Sequence, residues 1–492
     1  MQITLPVSEL KSALSGLAKV LPRSASLPVL HHLHLSRSAS GVLKLQATDL
    51  SSFATYRFSH TETGKAVEML VPYEPLAKTV KGCRSTDLVT FFLEGSQLIL
   101  RYPLAGRHVD QPLALLSLSE WPAVPVVETV AEVLDNRLKA AIGNAWACCS
   151  QEPTRAAIMG AWLDVTEPKA HYVMGTNGRH LFAANSFTLA LQEPLLLPAT
   201  KFLTWSGFTD DGNWTLAVQP KPPADGTSWF QLQSDHWTFL TQRQEHTMPN
   251  WRQILPPVGS SRITVRFSEA ASGFLTEVLP QLPGKDVMDQ PLRLEIAAGK
   301  LTVTAWDHVS GHPTTLPVDN VAITGPDLTV TINRTFLAKA MKWGLTVLEL
   351  TDELSPLVFS TQGKRLVAMP LRNNSAPVAT ATASADEPTT PTTPTPEPEP
   401  QPKEEPMPKA TTEATPEPQP VNRLAPLTTA TKPTVRTVIE QIDTIRDALK
   451  GVTRQFGDVV EALRSFEKEK RVSDREVEQV REKLRDLQSV TL

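Results

Sequence analysis

The chain has few of the residues from which metal and redox sites are built. Cysteine occurs only 3 times, at Cys83, Cys148 and Cys149, and these positions form no CxxC or other zinc-ligand spacing. Cys148 and Cys149 are adjacent, and adjacent cysteines cannot form an ordinary unstrained disulfide. We therefore expect buried thiols in a reducing compartment.

Long apolar runs and a leader sequence are also missing. The sequence contains no run of about 18 apolar residues, which argues against a membrane-spanning helix. The N-terminal residues Met1–Pro6 lack the basic start and the apolar stretch of a signal peptide. We expect a cytoplasmic protein with no membrane partner.

Charge of one sign does not dominate, since the formal net charge is -4. The whole chain is therefore not a nucleic-acid binder by bulk charge, although a local basic face is compatible with this value. The sequence has no glycine-rich phosphate loop, no nucleophile elbow and no cluster of acidic residues. We expect neither an enzyme nor a cofactor.

A short histidine group is the nearest approach to a metal motif. His32 and His34 would share one face of a strand, with His31 beside them, but no acidic or thiol residue lies close in the sequence. Zinc sites need three or four such ligands. We interpret the group as part of a solvated strand and expect no metal.

Proline, in contrast, is abundant, with 42 residues placed very unevenly. Residues 373–433 consist mostly of Pro, Thr, Ala and Glu, and such a composition cannot offset the entropy lost on ordering. It predicts a disordered linker. From Val435 onward apolar residues recur at three- and four-residue steps, which predicts a heptad-repeat helical tail over 434–492. Two alternatives stay open for this tail: a self-associating coiled coil, or a helical hairpin for a partner that the sequence does not identify.

Before the linker, one order of elements occurs three times. Leu43–Asp49, Tyr172–Asn177 and Leu301–Asp307 resemble one another at steps of about 130 residues, the signature of a repeated architecture. Each unit has alternating strands and two predicted helices, which favours an α+β fold with the helices on one sheet face. The predicted domains are 1–126, 127–257 and 258–372. The helices are predicted at Val7–Leu21, 73–83, Asp135–Ser150, after Pro198, at Glu269–Leu279 and at Arg334–Gly344.

Four motifs resemble those of the bacterial DNA polymerase III beta subunit, the sliding-clamp family. They are Leu27–Leu30 with Ala47–Leu50, then Thr176–Leu181, Met248–Pro256 and Val367–Arg372. The resemblance covers residues 1–372. It implies a ring of two protomers joined head to tail, with helices lining a hole around double-stranded DNA. Such a ring holds a DNA polymerase on its template and performs no chemistry.

The resemblance also implies a positive bore that does not read sequence, because sliding requires phosphate contacts that are weak and salt-dependent. Any single lysine fits an ordinary solvated helix face equally well, so recurrence on equivalent helices carries the assignment. The candidate DNA-binding residues are Lys11, Lys19, Arg23, Lys78, Lys81, Arg84, Arg137, Lys139, Lys201, Arg334, Lys339 and Lys342.

The family's groove for partner peptides lies between the second and third domains, and it would receive peptide motifs of the polymerase and the clamp loader. Individually, its apolar members also fit plain core packing. Four positions depart from the family pattern: Arg179 and His180 stand in the inverse of the usual order, Ala157 replaces an aromatic residue and Gln253 replaces an arginine. Carried over by motif match, the groove comprises Arg155, Ile158, Thr176, Gly178, His180, Leu181, Pro249, Ile254, Asn333, Phe336, Val367, Met369, Pro370 and Leu371.

Two functional hypotheses follow. The first is a DNA polymerase processivity factor with an added tail. The second is a diverged clamp-like scaffold that has no replicative role and acts through its coiled-coil tail. The last residues, Gln488–Leu492, resemble the Gln-led pentapeptide of clamp partners, and we hypothesise that the tail competes for the groove.

Overall fold

A computed structural model describes residues 2–95, 97–220, 226–257 and 259–372. The predicted linker (373–433) and helical tail (434–492) lie outside the described residues. The described part is α+β, as predicted, with short helices packed on antiparallel sheets. The domain boundaries after residues 126 and 257 stay a prediction.

The first repeat contains two helices, α1 (Val7–Leu17) and α2 (Tyr73–Gly82). Its strands are β1 (Gln2–Pro6), β2 (His32–Arg37), β3 (Val42–Thr48), β4 (Ser52–Thr61), β5 (Val67–Pro72), β6 (Leu88–Glu94), β7 (Gln97–Leu104) and β8 (Arg107–Leu113).

The second repeat contains α3 (Asn136–Trp146) and the single turn α4 (Ser206–Thr209). Its strands are β9 (Glu132–Leu134), β10 (Gly160–Asp164), β11 (Tyr172–Thr176), β12 (His180–Ala184), β13 (Leu195–Pro198), β14 (Trp214–Val218), β15 (Trp229–Gln233) and β16 (Trp237–Gln242).

The third repeat contains α5 (Glu269–Val278) and α6 (Arg334–Lys342). Its strands are β17 (Ile263–Phe267), β18 (Pro291–Ala297), β19 (Lys300–Trp306), β20 (Pro313–Val318), β21 (Val321–Thr324), β22 (Leu328–Asn333), β23 (Val347–Leu350), β24 (Leu357–Thr361) and β25 (Lys364–Ala368).

Each repeat builds the same two half-sheets. The strand order of the first half-sheet is β5-β2-β3-β4 in the first repeat, β13-β10-β11-β12 in the second and β22-β18-β19-β20 in the third. The strand order of the second half-sheet is β1-β6-β7-β8 in the first repeat, β9-β14-β15-β16 in the second and β17-β23-β24-β25 in the third, where β21 is added beyond β17. The internal similarity in the sequence therefore corresponds to a repeated topology.

The repeats are joined by continuous sheets. The last strand of one half-sheet, β4, pairs antiparallel with β16 of the next repeat, with Tyr56 opposite Trp237. In the same way β12 pairs with β25, from His180 opposite Ala368 to Ala184 opposite Lys364. In the third repeat the strand equivalent to β4 and β12 is β20, and in the first repeat the strand equivalent to β16 and β25 is β8. No strand within the described residues pairs with the outer edge of either.

The apolar stripe predicted for the first helix is buried, with Leu10, Leu14 and Leu17 in the core. The helix ends at Leu17 rather than at the predicted Leu21. Leu21 precedes Pro22, and the residue before a proline is disfavoured in helical conformation. The chain therefore leaves the helix by a turn in which Val20 N–H donates to Leu17 O.

The second helix of the middle repeat is reduced to the turn α4. Trp205 has an extended backbone (φ -83°, ψ 137°) and so interrupts the helix that the sequence predicts after Pro198. Its ring packs with Phe202 and Trp237, at centroid distances of 6.3 and 5.7 Å. Packing of a large aromatic cluster here overrides the local preference for a longer helix.

Candidate functional site

The pairing of β12 with β25 brings two of the sequence motifs together. Leu181 lies opposite Val367, and beyond the last pair the N–H of Met369 donates to Arg179 O at 2.9 Å. Two residues further along the chain, Leu371 N–H donates to Thr331 O of β22 at 2.7 Å. The closing motif, which belongs to the third repeat, thus bonds both to β12 and its preceding turn in the second repeat and to β22 in the third, where the family resemblance predicts the groove.

The turn before β12 is built by its own side chains. Thr176 Oγ1 donates to His180 O and accepts from Gly178 N–H, at 2.7 and 3.0 Å. Asn177 Oδ1 accepts from the N–H groups of Arg179 and His180 at 2.9 and 3.2 Å. Gly178 has φ +85°, the left-handed region that favours glycine. The turn therefore depends on a hydroxyl at 176, a side-chain acceptor oxygen at 177 and a glycine at 178.

His180 is buried at the contact between the second repeat and α6. Its ring stacks on Phe336, with centroids 4.3 Å apart, and its Nε2 accepts from Lys339 Nζ at 2.9 Å. Nδ1 lies 2.9 Å from Asn177 Oδ1, an acceptor, which places the proton on Nδ1. Burial, with the Lys339 charge as a second cause, lowers the pKa of His180 to about 3. The imidazole is therefore neutral at physiological pH.

Lys339 takes part in the same contact. Its ammonium also donates to Ala147 O at 2.7 Å, and burial lowers its pKa. The side chain therefore links α6 to the end of α3 instead of extending from the helix surface. The neighbouring Asn333 has a different role, since its Oδ1 caps α6 by accepting from Thr335 N–H at 2.9 Å.

The apolar part of the groove has a buried floor and an exposed rim. Leu181 and Val367 are almost completely buried and pack in one cluster, and Ile158 is also buried. Met369 and Ile254 are 43% and 39% exposed. The rim also includes the half-buried Pro249, Pro370 and Leu371. An exposed methionine and an exposed isoleucine each offer apolar side chains that can adapt to a partner.

Behind this surface, one buried carboxylate holds the segment that enters the third repeat. Asp164 Oδ2 accepts from Trp251 Nε1 at 2.9 Å and from Arg252 at 2.7 Å. Burial alone would raise the pKa of Asp164, but hydrogen bonds from Thr166 and Trp251 and the Arg252 charge outweigh it and lower the pKa. The sequence reasoning missed this residue, although an aspartate ending an apolar strand is a signal for such a role.

A basic cleft of about 440 Å³ opens beside the turn at residues 176–180 that precedes β12. It is lined by the cations Arg155, Arg179 and Lys339, together with Glu152 and the half-buried thiol of Cys149. Arg155 donates to Asn177 O at 2.9 Å, and Arg179 forms an ion pair with Asp289. The residues predicted for the groove thus include exposed apolar side chains and, beside the turn at 176–180, side chains that line a polar, largely cationic cleft.

The twelve candidate DNA-binding residues fall into three groups. Seven are exposed: Arg23, Lys78, Lys81, Arg84, Arg137, Lys201 and Lys342. Lys11, Lys19, Lys139 and Lys339 are half-buried. Lys11 donates to Cys83 O at 2.7 Å, Lys139 donates to Gly212 O at 2.6 Å, and Lys19 lies 5.3 Å from the Trp205 ring centroid.

Arg334 forms the third group by itself. It is buried, and its guanidinium donates to Leu282 O and Pro283 O, so it stabilises the loop after α5. It presents no charge at the surface, and we leave it out of the proposed DNA contacts. Among the exposed cations, Lys78 and Lys81 share one face of α2, as their spacing of three predicts.

Solved structures similar to this chain are bacterial sliding clamps. The DNA polymerase III subunit beta of Pseudomonas aeruginosa matches with a TM-score of 0.61 and 19% identity, over 76% of this chain and 100% of that chain. The Bartonella birtlesii sliding clamp bound to griselimycin matches with a TM-score of 0.63 and 16% identity, over 76% and 99%. The Bacillus subtilis sliding clamp matches with a TM-score of 0.63 and 14% identity, over 76% and 99%.

The described body has the sliding-clamp fold. The resemblance drawn from the four sequence motifs is thereby confirmed at the level of the fold. No protein-family model matches the chain, and no curated protein matches it by sequence. Identities below 20% relate folds and do not by themselves transfer a function.

Two side-chain predictions that lie outside the clamp groove have definite outcomes. The prediction of a solvated strand is wrong for His32, which is buried with Nδ1 3.0 Å from Pro28 O. His34 has an acidic neighbour after all, because β2 pairs with β5 and brings Glu68 within 3.3 Å of its Nε2. Cys83 and Cys148 are buried free thiols, and burial raises the pKa of Cys148 to about 12.

The structure also bears on membranes and metals. No helix within the described residues is long and apolar enough to cross a membrane. In that same part of the chain, His, Cys, Asp and Glu side chains form no group of three or more that could hold a metal ion.

Proposed function

We propose that this chain is a DNA sliding clamp, a non-enzymatic processivity factor that acts in the cytoplasm. Two copies join head to tail into a ring around double-stranded DNA, and the groove at the β12–β25 junction tethers a DNA polymerase and a clamp loader. The observation that carries this proposal is the repeated junction between half-sheets.

Two of the three junctions that the repeat rule allows are made within the chain, by β4 with β16 and by β12 with β25. The third would join β20 of one copy to β8 of another. Such a contact uses two different surfaces, and it therefore generates a closed ring when the rotation per copy divides a full turn. Two copies would place six repeats in the ring, as the family resemblance implies.

The exposed cations support binding to duplex DNA without reading its sequence. Lys78, Lys81 and Arg84 lie on or beside α2, while Arg137 and Lys342 lie on α3 and α6. Lysine and arginine that contact only phosphates give an affinity that falls steeply with salt. This is the behaviour that a ring requires if it is to slide.

The groove supports binding of short extended peptides. Met369 and Ile254 provide an apolar rim that can adapt to different side chains. The cationic cleft next to it, with the exposed Arg155 and Arg179, offers guanidinium donors to acidic or carbonyl groups. One peptide could contact both parts, because the turn at 176–180 borders each of them.

The decisive test is retention of the full-length protein on circular DNA before and after linearisation, with the cognate loader present and a nicked circle as control. Retention on the circle and loss from the ends of the linear form are expected for a closed, sliding ring. Equal retention on circular and linear DNA, with the loader active on its own clamp, would refute the proposal.

A second function is favoured by one observation. Five of the candidate cations, Lys11, Lys19, Lys139, Arg334 and Lys339, are engaged by the protein itself. Only seven of the twelve candidate cations are then left for contacts with DNA. So few available cations fit a clamp-like scaffold that acts through its C-terminal tail and has no replicative role. Absence of circle-dependent retention combined with capture of a partner by the tail would select this alternative.

A further inference from the structure

The two edges that would close the ring differ from the junctions inside the chain in one residue type. The strands of the internal junctions, β4, β16, β12 and β25, contain no proline. The free edges contain three: Pro112 in β8, and Pro313 and Pro317 in β20. Proline has no N–H, and so its effect on an edge depends on which way its nitrogen faces.

In β20 both prolines face outward. Asp307 N–H donates to His312 O at 3.0 Å where β19 leads into β20, which fixes the phase of the ladder. Hydrogen-bonded pairs alternate along an antiparallel ladder, so Pro313, Thr315 and Pro317 direct their nitrogens away from β19. Within this strand, Thr315 alone offers an N–H to a neighbour on the outer side.

The phase of β8 follows from its hairpin. The turn has two residues, Ala105 and Gly106, with φ of 49° and 79°, the pattern of a type I′ turn. The residues flanking such a turn form a hydrogen-bonded pair, so Arg107 is bonded inward and His108 faces outward. Every second residue from His108 also faces outward, and this series includes Pro112. One of its three outward N–H groups is therefore missing.

Together the two edges lack three of the six outward N–H groups that a ladder between them would use. We propose that these prolines make the β8–β20 contact the weak joint of the assembly, so that the ring closes with a shortened ladder and opens readily. This inference rests on the proposed function. On a separate copy the same prolines shield both edges from unspecific strand addition.

The test is sedimentation velocity of the full-length chain over a series of concentrations. The variant Pro112→Thr/Pro313→Thr/Pro317→Thr restores the missing N–H groups on surface positions of strands that already exist. A ring of two copies contains two β8–β20 contacts, so six hydrogen bonds are restored. At roughly a factor of 5 for each, we expect the dimer to dissociate at a concentration about 10,000-fold lower than the parent's. Thr315→Pro, which removes the last outward N–H of β20, should weaken association further.

Three results would overturn the inference, and they separate it from the proposed function. A parent dimer that is already stable at nanomolar concentration, with no gain in the triple variant but with weaker association in Thr315→Pro, would retain the ring and refute the weak joint. Absence of association in both proteins would refute both proposals. Association that neither the triple variant nor Thr315→Pro alters would assign the contact to the C-terminal tail. Circular dichroism confirms that each variant is folded.

Discussion

The buried imidazole of His180 should make the stability of the clamp body depend on pH in a defined window. Its pKa falls from the ordinary 6.5 to about 3 in the folded protein. A group with a lowered pKa binds its proton more readily when unfolded, so the stability it contributes is complete above pH 6.5 and is lost as the pH falls toward 3. Each pH unit in this window costs about 1.4 kcal/mol.

The loss between about pH 7.5 and about pH 4.5 is then about 2.5 kcal/mol, because only the part of the interval below 6.5 counts. The assay is urea unfolding of the parent and of His180→Gln at both pH values. Glutamine is neutral throughout, and the other titrating groups are common to both proteins. We expect the stability advantage of the parent to shrink by about 2.5 kcal/mol at the lower pH.

Two results would refute this reasoning. The first is a difference between parent and His180→Gln that stays constant between the two pH values. The second is an NMR titration in which the His180 ring takes up its proton near pH 6.5. Lys339→Met serves as a control. It removes the Lys339 charge, the second cause of the lowered His180 pKa, and leaves the burial. The pH range over which the variant loses stability should therefore become narrower but persist.

Three further predictions concern the groove and its support. Asp164→Ala should lower the free energy of unfolding by about 2 kcal/mol in chemical denaturation, because it leaves the buried Trp251 indole N–H without its acceptor and removes one of the two carboxylates that pair with Arg252; a change below about 1 kcal/mol would contradict the role of this carboxylate. Gly175→Ala should destabilise by about 2 to 3 kcal/mol, since a Cβ there would lie 2.1 Å from a backbone oxygen of α3. Gly143→Ala in α3, where a Cβ meets nothing within 4 Å, should stabilise by about 0.5 to 1 kcal/mol and is its matched control. Met369→Ala should weaken binding of a labelled clamp-binding peptide at least about tenfold, while Leu88→Ala, at an exposed apolar position of the first repeat, should not.

The sequence predicts the helices well where an apolar stripe and a clear start coincide. The starts of α2, α5 and α6 agree with the predicted positions because Pro72, Ser268 and Asn333 precede apolar residues at helical spacing. The prediction fails for α4, where the aromatic cluster around Trp205 decides the backbone. Such a cluster forms only when distant strands meet, and local patterns do not contain that information.

The same limit applies to the candidate site. The motif match predicts a set of groove residues, but only the structure separates the buried ones such as Leu181 and His180 from exposed ones such as Met369. The spacing of the lysines places them on helices, but it does not show which of their ammonium groups are bonded to a backbone oxygen of another element and so are not available to DNA. Arg334 and Lys339 are engaged by backbone oxygens that lie 51 or more residues away in the chain, so local sequence could not assign them.

The position of β25 has a mechanical consequence. This strand lies between β12 and β24, with five registered residue pairs on each side, and residues 373–492 continue from its end. A pull on those residues acts along the strand and loads both ladders in shear, so many hydrogen bonds share the force. A cargo on the C-terminal part of the chain would therefore be anchored firmly. Tension from it would also reach the groove directly, because Met369 and Leu371 lie on the line of force.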